Sequence, residues 1–390
     1  MCMGGAKMKN LLILLTLSVT ILVSSDFEEF KQQQNLKYTN YQNSIQEEFS
    51  KYQKAHDEAF NEFSKDLKKK WPPINGKADI STKKRFVEYN RNLNTKKIID
   101  YEKNNISLEV IASTQIEAKN KIKEMFTQLL TEDIKSAYKN DLLEEKISKK
   151  LNKPRAVIKS KEKLISNIIT PQEKLEMINK LQKENLVIKK YNGKFIYKAN
   201  VKLPTNTTIR KAKSFKNYVM ASAKKEDIPA ELIYAIIHSE SSFNPMARSH
   251  IPAFGLMQIV PKSAGIDSYQ YLYNKKRVLS SAYLYDSKKN ITIGSAYLHI
   301  LYYKYLKKIK NPQSRLYCAI AAYNTGAGNV AKTFTGNTNI NNSATIINKL
   351  TSEQVYKKLI SSLPYLETRK YLKKVNDRTS AYNRLLQTTL

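Results

Sequence analysis

The sequence predicts an α+β N-terminal domain followed by a mainly α domain. Three observations carry this reading. Within residues 85–203, strand-like runs come in pairs that flank Asn104-Asn105 and Asn192-Gly193 turns. From about residue 204 onward, apolar residues recur at spacings of three and four. The length of 390 residues, with 41% hydrophobic content, leaves room for two domains and a leader.

Taken in order, residues 1–25 read as a signal peptide. Lys7 and Lys9 give a positive start, Leu11 to Val23 is apolar but short for a membrane span, and Val23-Ser24-Ser25 offers small residues for cleavage. No cysteine follows the apolar run, so no lipoprotein anchor is expected; an uncleaved leader would act as a signal anchor. Residues 26–203 form the expected helical plus α+β accessory domain. Its first part carries an amphipathic stripe of Ile45, Phe49, Tyr52, His56, Phe60, Phe63 and Leu67, ended by Trp71-Pro72-Pro73. Strands are expected over 97–102 and 106–112, then helices near 114–130, 133–151 and 171–185. The last opens on a capping box, Thr170-Pro171 with Glu173. A hairpin over 186–203 turns at Asn192-Gly193. Residues 204–208 read as a linker, and 204–390 as a second, almost wholly helical domain.

Within that domain, residues 229–240 have helical spacing. Pro229 suits a first turn, and Leu232, Ile236 and Glu240 share one stripe. Asn244-Pro245 is expected to stop the helix. A carboxylate on an apolar face is partly desolvated, and the helix dipole is negative at that end, so both effects raise its pKa. A general acid working near neutral pH needs such a shift. From this helix alone, a surface glutamate at a frayed end is the commoner reading.

The formal net charge is +33, with 67 Lys and Arg against 34 Asp and Glu. Residues 205–390 alone hold 28 Lys and Arg against 9 Asp and Glu, a net of +19. Such a field favours an acidic partner or surface. The basic residues are dispersed and no reading motif is present, which argues against nucleic acid. No zinc-type spacing, EF-hand loop or HExxH pattern occurs, so no metal or cofactor is expected. Cys318 stands alone after the leader and reads as a small core residue.

Several short motifs follow Glu240 in order: ESSFNP at 240–245, ARS at 247–249, GLMQ at 255–258, NI..G.AYL at 290–298, AYN.GAG at 322–328 and ETR.Y at 367–371. Gly255 would let backbone approach a ligand closely, and the Gln258 amide can both donate and accept. Together the motifs resemble the lysozyme-like lytic murein transglycosylases over roughly residues 212–385. The resemblance implies a lysozyme-like (goose-type) catalytic fold, a peptidoglycan glycan-strand substrate and a periplasmic, exported enzyme. In that family membrane attachment is typically by a lipoprotein anchor, which this sequence lacks.

The resemblance also implies roles. Glu240 would be the single acid/base that cleaves the β-1,4 bond between N-acetylmuramic acid and N-acetylglucosamine, leaving a 1,6-anhydromuramyl end. Ser249 would bind substrate, Met257 and Gln258 would line the cleft, Tyr323 and Asn324 would orient Glu240 or the sugar, and Tyr371 would sit nearby. The residues themselves agree on one point. Ordinary glycosidases need two carboxylates about 5 to 9.5 Å apart, and Glu240 is the only one between Leu232 and Ile266. Asp267 and Asp286 are more distant candidates. The rival readings are a hydrolytic muramidase and a non-catalytic wall-binding scaffold.

Overall fold

A computed structural model of the chain describes residues 32, 33, 36, 40 and 43–388, so the expected leader lies outside the described residues. The chain divides into two compact units, Met1–Tyr52 and Gln53–Leu390. In the first, residues 43–52 are helical. The second holds everything that follows. None of the described helices is long and apolar enough to cross a membrane.

The second unit opens with a helix over 53–70 (α1). Its Phe63 and Leu67 are buried, and Phe63 meets Tyr89 edge-on at 6.1 Å. Next come strands Arg85–Tyr89 (β1), Thr95–Asp100 (β2) and Asn105–Ile111 (β3). Helices Gln115–Leu129 (α2), Ile134–Asn140 (α3), Leu142–Leu151 (α4) and Pro171–Lys183 (α5) follow, then strands Val187–Tyr191 (β4) and Lys194–Lys202 (β5). The five strands form one antiparallel sheet in the order β1-β2-β3-β5-β4. β2 is buried along most of its length, including Lys96 and Lys97. Lys97 is matched there by Glu88 at 2.5 Å and Glu132 at 2.8 Å, as a buried charge requires.

Both expected hairpins are present. Asn104 and Asn192 take left-handed φ of 52° and 46° at the two turns, a conformation Asn tolerates. The capping box at Thr170 and Glu173 forms as expected. β1 adds a third strand to the first hairpin by pairing with β2. The single helix expected over 133–151 is broken in two. Asp141 leaves helical geometry, and its side chain accepts from the Leu143 and Glu144 N–H groups, capping α4.

The remainder is helical: Thr207–Ser214 (α6), Lys216–Glu226 (α7), Ala230–Glu240 (α8), Ile266–Tyr273 (α9), Ser281–Leu284 (α10), Ser287–His299 (α11), Pro312–Thr325 (α12), Ala327–Thr335 (α13), Ile340–Ile347 (α14), Ser352–Ser362 (α15) and Leu366–Thr388 (α16). α8 is buried on all sides apart from Glu231 and His238, so it is the spine of this region. α16 packs along it, with Tyr382 stacked on Tyr234 at 5.3 Å. Cys318 is a fully buried free thiol on α12. Polar contacts clasp the sheet region to the helical region. Lys211 donates to the Tyr101 carbonyl at 2.6 Å, Ser281 to Glu144 at 3.0 Å, and Arg248 pairs with Asp141.

Candidate active site

Pro229 stands at the cap of α8 and Glu240 is its last residue. The helix stops before Asn244-Pro245 because Ser242 and Phe243 both take left-handed φ, 53° and 68°. Left-handed φ is costly for a bulky residue. Phe243 is compensated by burial: it stacks on Phe215 at 6.2 Å and lies 5.6 Å from His238. The Ser241 hydroxyl fixes the turn by accepting from the Phe243 N–H at 3.2 Å. The chain then doubles back, and the Asn244 side-chain amide donates to the Lys83 carbonyl at 3.3 Å. The Arg248 N–H reaches the Thr82 carbonyl at 3.4 Å.

That return brings Lys83 to the glutamate. Its Nζ lies 3.6 Å from Glu240 Oε2, and its side chain is 38% exposed against 7% for the glutamate. Burial raises the Glu240 pKa above the ordinary carboxylate value. Lys83 opposes that rise, and Tyr371 opposes it more weakly, while Glu367 adds to it. Tyr371 is buried and its hydroxyl makes no hydrogen bond of ordinary geometry, yet it is near enough to favour the ionised carboxylate. Its own ionisation, and that of Tyr323, is pushed far upward by burial and then by the Glu240 charge. Both phenols therefore stay neutral. Among the described residues, Glu240 thus faces one cation, two tyrosines and one exposed carboxylate.

The GLMQ stretch is a tight turn. Phe254 bridges to Ile259, and the Gln258 N–H donates to the Gly255 carbonyl at 3.1 Å. Gly255 has φ of 76°, and a Cβ there would collide with the Asn290 amide and the Leu284 carbonyl. The close approach expected at Gly255 is therefore to Asn290. Buried Asn290 donates to the Phe254 and Leu284 carbonyls at 2.8 and 2.7 Å, and accepts from the Met257 N–H at 2.8 Å. Gly294, one turn along α11, leaves room for the Met257 thioether, where a Cβ would clash. Met257 is fully buried.

The Gln258 amide nitrogen donates to the Gly255 carbonyl at 3.0 Å, while its buried Oε1 has no partner. Tyr323, at the end of α12, donates to the Met257 carbonyl at 2.8 Å and packs 5.6 Å from Tyr297. Asn324 accepts from Thr368 at 2.7 Å, tying α12 to the start of α16. Ser249 sits on the loop after the return, half-buried, with its hydroxyl turned to the Ile251 carbonyl. Tyr323 and Tyr371 stand near Glu240 and Tyr323 bonds to Met257, whereas Asn324 is joined to Thr368. No direct contact joins Ser249 to Glu240.

The two distant carboxylates have other tasks. Asp286 caps α11 through the Lys289 N–H, and Asp267 accepts from the Tyr305 hydroxyl at 3.1 Å. Sequence reasoning missed Lys83 and Glu367 as neighbours of Glu240. It quoted Asn290 within a motif but gave it no role.

The chain matches the transglycosylase SLT domain family over residues 217–346. It is 34% identical over 306 residues to a membrane-bound lytic murein transglycosylase C of Salmonella arizonae, covering 78% of this chain and 83% of that protein. The chain belongs to the lytic murein transglycosylase C family. A second member, from Cronobacter sakazakii, is 31% identical over 346 residues, which is 88% of this chain and 94% of that one. Among solved structures, the lytic transglycosylase Slt of Pseudomonas aeruginosa overlaps 69% of this chain and 44% of that one. Its identity is 18% and its TM-score 0.37, too low to carry an argument. The similarity to the lytic murein transglycosylase C proteins runs well beyond residues 217–346, so it takes in part of the sheet region that supplies Lys83.

Proposed function

We propose that Glu240 is the single acid/base of a lytic transglycosylase reaction on peptidoglycan. Its protonated form gives its proton to the oxygen of the β-1,4 bond between N-acetylmuramic acid and N-acetylglucosamine. That bond breaks, and positive charge develops at the muramic C1. The carboxylate so formed then takes the proton of the muramic C6 hydroxyl, whose oxygen closes onto C1. The products are a free N-acetylglucosamine 4-hydroxyl and a 1,6-anhydromuramyl end. No water is consumed, and Glu240 ends protonated as it began.

The observation that carries this reading is the setting of Glu240: buried, raised in pKa, and with no second buried carboxylate against it among the described residues. Lys83 would hold the carboxylate during the half of the cycle in which it is charged. Gln258 would offer its unpartnered Oε1 to a sugar amide, and Tyr371 its hydroxyl to Glu240. Tyr323 and Asn324 would fix the wall behind the sugar, and Ser249 would meet the strand farther along the loop.

In this reading residues 204–390 are the catalytic region and 26–203 the accessory region. The enzyme acts after export, in the periplasm, and associates with the membrane as the names of its relatives state for them. Mass spectrometry of muropeptides released from purified peptidoglycan tests the chemistry. Anhydromuramyl ends are expected, and reducing muramic ends would assign a hydrolytic muramidase instead.

A further inference from the structure

Near the acid/base, along α16, lies a concentration of cations that the reaction does not use. α16 carries Tyr371, Lys374 and Arg378 at i, i+3 and i+7, so the three share one helix face. Tyr371 neighbours Glu240, and the stripe continues from it into a shallow open cavity of about 300 Å³ lined by Lys370, Lys373, Lys374, Asp377 and Arg378. Arg378 donates to the Ser239 hydroxyl at 3.0 Å, directly before Glu240 in the chain. From the sheet region comes Lys84, which follows Lys83 and whose charge acts on Lys374. The carboxylates at hand are Glu102, bonded to Lys84, and Asp377.

Like charges held this close favour an anion between them. Two neighbouring groups register the field. Lys374 is pushed down to about 8 by burial, then by Arg378 and Lys84. His238 is pushed down to about 3 by burial and then by Arg378, Lys211, Lys374 and Lys84. Against the effect of burial, Glu102 is held below the ordinary carboxylate range by its bond to Lys84 and by the Lys374 and Arg378 charges, so negative charge is favoured in this place.

We propose that Lys84, Lys374 and Arg378 form an anion site that receives a carboxylate of the stem peptide carried by the muramic residue at the cleavage point. The proposal rests on the reading of Glu240 as the acid/base on peptidoglycan, because that reading places a muramic residue beside this cavity. A carboxylate there would pair with ammonium and guanidinium groups through charge-assisted hydrogen bonds. It would orient the strand along α16, with contributions from both the sheet region and the helical region.

The test compares two substrates with the full-length protein: peptide-bearing glycan strands and strands stripped of peptide by an amidase. The readout is the ratio of kcat/KM values, with released anhydromuramyl ends as product. For the double variant Lys84→Gln/Lys374→Gln, the preference for peptide-bearing strands should fall on the order of tenfold, through KM, as expected for one partly exposed charged contact. Lys374→Arg should keep most of the preference. Melting temperature and circular dichroism exclude misfolding of the variants. A wild type with no preference, or a double variant whose preference is unchanged, overturns the anion site. An equal loss on both substrates also overturns it and assigns the cluster to the sugar backbone. Failure of the functional reading looks different: no anhydromuramyl product from either substrate, or full activity in Glu240→Gln.

Discussion

Replacing Lys83 with Met should move the pH dependence of the reaction without abolishing it. The ammonium stands 3.6 Å from Glu240 Oε2 and is 38% exposed, so a water-like dielectric is the right limit for their attraction. Two unit charges at that distance in water attract by about 1.2 kcal/mol. The sign follows from the acid role. Lys83 favours the ionised carboxylate, so it holds the pKa below the level that burial alone would set. Removing it raises that pKa. The protonated form then persists to higher pH, and the alkaline limb of kcat/KM moves to higher pH. Lys83→Arg should restore the wild-type profile. The assay is release of anhydromuramyl products across a pH series at constant, low ionic strength, with melting temperature as a control. A limb that stays in place, or moves to lower pH, would refute the pairing of Lys83 with the working acid.

Further outcomes follow from the same geometry. Glu240→Gln should lower kcat by about 10²–10⁴-fold with little change in substrate binding, measured by muropeptide release and by pull-down on peptidoglycan. Tyr371→Phe removes the weaker group that favours the ionised carboxylate, so the alkaline limb should move upward by less than in Lys83→Met. Glu367→Gln should keep anhydromuramyl release within a few-fold, because that carboxylate is exposed; a loss like that of Glu240→Gln would indicate a two-carboxylate mechanism. Asn290→Leu removes three buried hydrogen bonds that hold the Gly255–Met257 turn, so the melting temperature should fall with a loss of about 3 kcal/mol.

How much of this could be read from the sequence depends on range. α8 announced itself through spacing, and the hairpins through Asn104-Asn105 and Asn192-Gly193, because local chemistry decides both. Glu240 was legible for the same reason: its helix carries it on an apolar face. Two local expectations gave way to longer-range effects. The helix over 133–151 breaks at Asp141, which also pairs with Arg248. Pro245 does not end α8, because burial of Phe243 holds a left-handed turn two residues earlier. Lys83 left no trace in the sequence: one lysine among many, it gains meaning from a contact with a segment far along the chain. The role of Met257 came only from the family resemblance; the space beside Gly294 that its thioether fills belongs to another helix and leaves no local signal.

The bond between Asn244 and the Lys83 carbonyl joins residues separated by 161 positions. Closing such a span carries a loop entropy that the contacts around it must offset. Until it closes, Glu240 lacks its cation. The cation that opposes the burial-driven rise of the Glu240 pKa thus comes from a segment of the chain far from the helix that carries the glutamate. The charge balance around that one carboxylate is set by the sheet region and the helical region together.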